Sequence, residues 1–348
     1  MANRKKTALV LGGGGLIGMA YHAGTLQALH ERGLGVEGTD LIVGTSAGSI
    51  VGAYLAAGWK QTDFYEYAHR RHPDSDKDPL DDRDVVRDLF QPLWTNRGER
   101  ARRYIGSAFA LAASRGILNR ALRGRVPGSI LRRQFPSGMY STEATRLRLE
   151  EELPAEWPER DLYICAADLY SGERVAFGAP GAPEARLPAA VLASTAIPGV
   201  FPPVSVTGKR YVDGGAYSAS SLDLAVDAGC RQILCIAPLG YRKGEAATLQ
   251  EPKMWLPMVA RTLFARALAR EVRYAREQGV DVIVFRPWAQ DLHVFGTNAM
   301  REFDREPVVE TAREGAHRLL DEHGDNRALD GFRKKPNGLL KRAAGSLL

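Results

Sequence analysis

Thr7-Ala-Leu-Val-Leu-Gly-Gly-Gly-Gly-Leu-Ile-Gly18 and, further on, Leu41-Ile-Val-Gly-Thr-Ser-Ala-Gly48 decide how this chain folds. Each stretch is a short apolar run, then a glycine-punctuated turn, then a segment with helical spacing. Met19 to Arg32 carries Ala20, Ala23, Leu26, Ala28 and Leu29 and stops at Gly33; Ser46 to Ala57 is apolar and stops at Gly58. Short apolar runs bounded by glycine read as buried parallel strands. Two such strands joined by one helix predict a right-handed crossover and an α/β protein with a parallel sheet.

The rhythm stops near residue 60 and resumes near 141. Between them, residues 74–88 hold seven Asp against Lys77, Arg83 and Arg87, and residues 97–135 hold ten Arg against Glu99 alone. This interruption reads as an insertion or cap over 60–140. Beyond it the spacing predicts a helix near Ser141–Leu153, a strand Asp161–Ala167 with a hairpin partner Arg174–Phe177, and a helix Ala189–Thr195. There follow a strand Arg210–Val212, a helix near Leu222–Ala228, a strand Gln232–Ala237, a helix Val259–Gln278, a strand Asp281–Phe285 and a helix near Pro307–Glu322. One domain over 5–325 is expected, with 326–348 as a loose basic tail carrying Arg333, Lys334, Lys335, Lys341 and Arg342.

Composition narrows the class. With 348 residues, 45% hydrophobic and 25% charged, the chain is too apolar for disorder. The surplus of basic over acidic residues is 47 − 41 = +6. Cys165, Cys230 and Cys235 form neither a disulfide framework nor a zinc pattern, and fit buried thiols in a reducing compartment. Arg4-Lys-Lys6 before Thr7–Ala20 superficially copies a signal peptide, but Gly12–Gly15 would break its apolar helix. No apolar run reaches membrane-spanning length, so a cytoplasmic protein is expected.

Two chemistries compete for the first glycine loop. Gly13-Gly-Gly15-Leu-Ile-Gly18 has the form G-x-G-x-x-G, a dinucleotide fingerprint that also wants an acid at the end of the second strand. That strand ends in Gly44-Thr-Ser46-Ala-Gly48, and Asp40 lies at its opening end. G-x-S-x-G between strand and helix instead describes a serine on a sharp turn, its neighbours at ±2 small enough to avoid clashes. Bare amides of the glycine run beside an exposed hydroxyl make an oxyanion hole. A Gly/Ser loop that only caps a helix, with Ser46 or Thr45 as N-cap, is the competing reading. The hydroxyl needs a base: Asp213 in Tyr211-Val-Asp213-Gly-Gly215 ends a strand, although Asp-Gly is equally a common turn. Asp168 and Asp223 are the other strand-end carboxylates.

Gly12-Gly-Gly-Gly15-x-x-Gly18, Gly44-Thr-Ser46-Ala-Gly48, Ala196-Ile-Pro-Gly-Val-Phe-Pro-Pro203 and Asp213-Gly-Gly215, in that order, resemble the patatin-like phospholipase family over roughly residues 7–240. The resemblance implies a three-layer α/β/α fold with a mostly parallel central sheet and a helical, Arg-rich cap. It implies a lipid acyl hydrolase with Ser46 as nucleophile, Asp213 as proton acceptor and the amides of Gly13, Gly14 and Gly15 as oxyanion hole. Gly18, Gly44, Gly48, Gly214 and Gly215 complete the motifs; no cofactor, metal or catalytic histidine is implied. Two departures stand out. Ile17 occupies a position usually held by Arg or Lys, and Ala216-Tyr-Ser-Ala-Ser-Ser221 replaces the usual Asn-x-Pro.

Two rivals remain at this point. Ser46, Asp213 and His293 occur in the order of an α/β-hydrolase triad, and Ile17 motivates a lipid- or membrane-binding protein on a decayed catalytic scaffold. The other histidines, His22 among them, read as surface positions. Segment 97–135 places Tyr104, Ala108, Leu111, Ala112, Ile117, Leu118, Ala121 and Leu122 near helical spacing among arginines. A cap helix packed on the core is the favoured reading, with contact to an anionic membrane as the alternative. No motif for nucleic acid accompanies the charge.

Overall fold

The computed structural model describes residues 4–77, 90–114, 138–242, 255–295 and 304–334. Strand β1 (Thr7–Leu11) leads into α1 (Gly15–Glu31), β2 (Leu41–Thr45), α2 (Ala47–Ala56), α3 (Asp63–Ala68) and α4 (Arg97–Ser114). Then come α5 (Glu143–Glu152), β3 (Asp161–Asp168), β4 (Arg174–Phe177), α6 (Leu187–Thr195), β5 (Val204–Val206) and β6 (Lys209–Asp213). The chain closes with α7 (Asp223–Asp227), β7 (Gln232–Ile236), α8 (Trp255–Glu277), β8 (Asp281–Phe285), α9 (Leu292–Phe295) and α10 (Arg305–His323). Among the described residues, all eight strands form one sheet in the order β5-β6-β3-β2-β1-β7-β8, with β4 also paired to β3.

The sheet is parallel through β3, β2, β1, β7 and β8, and antiparallel where β4, β5 and β6 join. Alternation along the central strands divides the core. Leu9, Leu11, Ile42, Leu234 and Ile236 face one side, against Leu26 and Leu29 of α1, Val51 of α2 and Val309 and Ala316 of α10. Ala8, Val10, Leu41, Val43, Ile233 and Cys235 face the other, against Ala225 of α7 and Leu268 and Ala275 of α8. Helices therefore cover both faces, the arrangement an all-buried parallel sheet requires, and the fold is the expected three-layer α/β/α. The three cysteines are buried free thiols.

The strands and helices missed in the sequence are α3, β5 and α9, each too short to carry a period. A larger correction concerns the carboxyl end. Residues 326–334 are not a loose tail: Ala328, Leu329 and Phe332 are buried in the main core. Phe332 O accepts Gly35 N–H at 2.7 Å, and Lys334 N–H donates to Gly33 O at 2.9 Å. Three apolar side chains at near-helical spacing outweigh the basic residues around them. Residues 335–348 lie outside the described residues, as do 78–89 and 115–137 of the expected cap. Of that segment, α3 packs on α1 and α10, and residues around Phe90 and Met139 pack on the Pro198–Pro203 loop. Phe90 stacks on Phe201 at 5.8 Å, and Met139 N–H donates to Val200 O at 2.8 Å. Among the described residues no helix is long and apolar enough to cross a membrane.

Candidate active site

Register explains how two residues far apart in the chain come together. Along β3, β2 pairs with Asp161–Cys165 and β6 with Ala166–Asp168. Strand β4 pairs with Ile164–Ala167, so it occupies the opposite edge from both. Thus β2 and β6, running in opposite directions, meet end to end on one edge of β3. Thr45 lies opposite Cys165 and Asp213 opposite Ala166. Ser46, one residue past Thr45, arrives beside Asp213, close enough for its hydroxyl to favour the charged carboxylate.

Ser46 stands on a strained turn, with φ 53° and ψ −122°. Such angles in a side-chain-bearing residue cost on the order of 1–3 kcal/mol and persist only where the surroundings impose them. Here they do. Ser46 N–H donates to Ser194 Oγ at 2.9 Å, and Ser194 Oγ–H donates to Cys165 O at 2.6 Å. Ser46 O accepts Ser49 Oγ–H at 2.6 Å. The flanking glycines are required by contact: a Cβ on Gly48 would stand 2.0 Å from Leu11 O, and one on Gly44 2.7 Å from Gly48 O. Ser194 and Ser49 were not found in the sequence, since neither lies in a motif.

Asp213 is buried, with Gly215 N–H on Oδ1 at 2.7 Å. Burial pushes its carboxyl up to about 6, against the opposing influence of the nearby Ser46 hydroxyl and the Gly215 N–H hydrogen bond. That value suits a base working near neutral pH. The alternative carboxylates are otherwise engaged. Asp223 pairs with Arg174 at 2.6 and 2.7 Å, and Asp168 accepts Tyr170 and Ser171 N–H. His293 is exposed, with Nδ1 against Gln290 O at 2.6 Å, and no contact joins it to Ser46 or Asp213 among the described residues.

The glycine loop reaches the serine, but not all its amides are available. Gly12 N–H donates to Ile236 O and Gly13 N–H to Ala219 O, both at 2.8 Å. Gly13 therefore does not offer the oxyanion donor expected of it, because the chain around Ala219 already takes that proton. Gly14 and Gly15 N–H have no acceptor among the described residues. A Cβ added at Gly13 would stand 3.2 Å from Ser46 Cβ, so loop and elbow are in contact. Gly18 and Ala47 meet where α1 and α2 begin, and Gly214 lies against Cys165 O. His22, expected at the surface, is fully buried. Its Nε2–H donates to Gly12 O at 2.8 Å, and burial lowers its pKa to about 4, so it is a neutral prop under the loop.

Beside Gly13 lies a cavity of about 10 Å³ walled by Ala219, Ser220, Leu239, Phe264 and Leu268, room for roughly one water. Among the described residues no group of three His, Cys, Asp or Glu side chains is disposed to hold a metal.

A family model described as patatin-like phospholipase matches residues 9–226, the span that holds this elbow, carboxylate and glycine loop. The chain belongs to the patatin-like phospholipase family. It is 32% identical over 264 residues to uncharacterized NTE family proteins of Mycobacterium tuberculosis and Mycobacterium bovis, an alignment covering 75% of this chain and 57% of theirs. The chain thus spans little more than half the length of these curated relatives. Among solved structures it is similar to VipD of Legionella pneumophila (16% identity, TM-score 0.42, covering 92% of this chain and 68% of that one). It is also similar to ExoU of Pseudomonas aeruginosa in complex with SpcU (21% identity, TM-score 0.37, covering 92% and 52%).

Proposed function

We propose that this chain is a serine acyl hydrolase of lipid esters that works through a Ser46–Asp213 dyad. The observation that carries the reading is the strained Ser46 elbow facing a buried carboxylate whose pKa is about 6. Asp213 takes the proton as Ser46 Oγ attacks the ester carbonyl. The charge arising on the carbonyl oxygen faces Gly14 and Gly15 N–H, with the first turns of α1 and α2 adding a favourable field. The alcohol leaves with the proton, and water activated by the same carboxylate releases the fatty acid from the acyl-serine. Ser46 N–H, held by Ser194, and Gly13 N–H, held by Ala219, serve geometry and not charge. The test is fatty-acid release from a panel of phospholipids, lysophospholipids and neutral esters by wild type, Ser46→Ala and Asp213→Asn. Release that survives Ser46→Ala would refute the reading.

The same proposal extends to an anionic membrane as the surface on which the substrate is met. Support comes from α4, where Tyr104 and Ile105 are exposed beside Arg97, Arg100 and Arg102.

A further inference from the structure

Glu271, on α8, is a half-buried carboxylate that the steps above leave unused. Its two oxygens accept three hydrogen bonds from a single loop. Ser218 Oγ–H donates to Oε1 at 2.5 Å; Ser220 Oγ–H and Leu222 N–H donate to Oε2 at 2.5 and 3.0 Å. Ser218 Oγ in turn accepts Ser221 N–H at 3.0 Å. The loop so gathered is under strain, with buried Ser221 at φ 52°. It lies in the stretch where Ala216–Ser221 departs from the family pattern.

The loop's centre acts on the site. Ala219, between the two serines that bind Glu271, presents its carbonyl to Gly13 N–H at 2.8 Å. Gly13 is the residue whose Cα abuts Ser46. A continuous path of direct contacts therefore runs from the Glu271 carboxylate through Ser218 and Ser220 to Ala219, then to Gly13 and the Ser46 elbow. Relaxation of the strained loop would swing the Ala219 carbonyl away from Gly13. The two neighbouring amides would then lose the anchor that fixes their direction.

We propose that Glu271 is a positioning residue: by clasping Ser218, Ser220 and Leu222 it holds Ala219 O on Gly13 N–H and so aims Gly14 and Gly15 N–H at the oxygen of the Ser46 adduct. The proposal rests on the Ser46–Asp213 reading of the site. Both carboxylate oxygens take part, because an amide at this position accepts at one of them only and donates at the other, which forces a serine hydroxyl to turn its O–H away from residue 271.

The experiment compares wild type, Glu271→Gln and the double variant Ser218→Ala/Ser220→Ala. It measures steady-state hydrolysis of a short-chain p-nitrophenyl ester, thermal melting, and amide hydrogen exchange of the peptide containing Gly13. Misaimed oxyanion donors predict a kcat lower by about 10- to 100-fold with KM within about twofold. Exchange at Gly13 is expected to accelerate while β1 stays protected. Unchanged kcat in both variants, or a fall in kcat with Gly13 exchange unchanged, would overturn the clasp. A wild type without Ser46-dependent hydrolysis would instead overturn the reading of the site, and with it the catalytic role given to Glu271.

Discussion

Replacing Asp213 by Asn separates the reactivity of the carboxylate from the free-energy cost of burying it. Its carboxyl stands at about 6 in the fold against an ordinary 3.8. The gap, 6 − 3.8 = 2.2, amounts to about 3 kcal/mol at about 1.36 kcal/mol per pH unit. The folded pKa lies above the unfolded one, so the fold retains a proton that the unfolded chain has already lost. Destabilisation is therefore complete above about pH 6 and disappears as pH falls to 3.8. An amide is neutral throughout and can still accept Gly215 N–H. The Asp213→Asn variant is expected to be more stable than wild type by up to about 3 kcal/mol at pH 8, and by about 1 kcal/mol at pH 4.5. Urea unfolding at the two pH values reads this directly. In parallel kcat/KM falls by about 10²- to 10⁴-fold, and the wild-type kcat/KM rises through about pH 6 to a plateau. A variant less stable than wild type at pH 8, or a difference independent of pH, would refute the assignment of a desolvated carboxylate here. Retained activity would refute its role as base.

Ser46→Gly removes the side chain that opposes φ 53°, so its thermal stability should exceed that of wild type by about 1 kcal/mol, while Ser46→Ala gains nothing; equal melting of the two would deny the strain. Ser194→Ala leaves Ser46 N–H and Cys165 O without their partner, with an expected loss of about 1–3 kcal/mol in denaturant unfolding and a lower kcat. Phe332→Ala should cost about 3–5 kcal/mol if the carboxyl-terminal residues belong to the core, and almost nothing if they do not. Arg97→Gln with Arg102→Gln should weaken co-sedimentation with anionic vesicles by roughly 30-fold, at about 1 kcal/mol per charge, and leave zwitterionic vesicles unaffected; equal binding by the double variant would remove α4 from the membrane proposal.

The groups of the proposed site were legible in the sequence because the chemistry proposed for them forces local spacing. A serine at φ 53° cannot stand without Gly44 and Gly48, whose Cα atoms abut Gly48 O and Leu11 O. The strands were legible because the sheet centre is buried on both faces and reads as unbroken apolar runs. Whatever depends on register was not. Nothing in Asp161–Asp168 announces that two antiparallel strand ends will meet between Cys165 and Ala166, though that junction is what brings Asp213 to Ser46.

The supports of the site escaped detection for a related reason. Ser194 and Glu271 act on backbone groups far along the chain, Ser46 N–H and Leu222 N–H, and His22 on Gly12 O ten residues before it. A backbone group has the same chemistry at every residue, so no residue type marks the receiving end, and a lone Ser, His or Glu in a helix carries no pattern. The same reasoning accounts for Gly13. Its glycine identity records the close approach to Ser46, whereas the fate of its amide is decided by Ala219, whose side chain has no part in the bond. A glycine-rich loop thus marks where bare amides can gather. Which of them remain free to meet a negative oxygen is set by the carbonyls of other loops, and here that leaves Gly14 and Gly15.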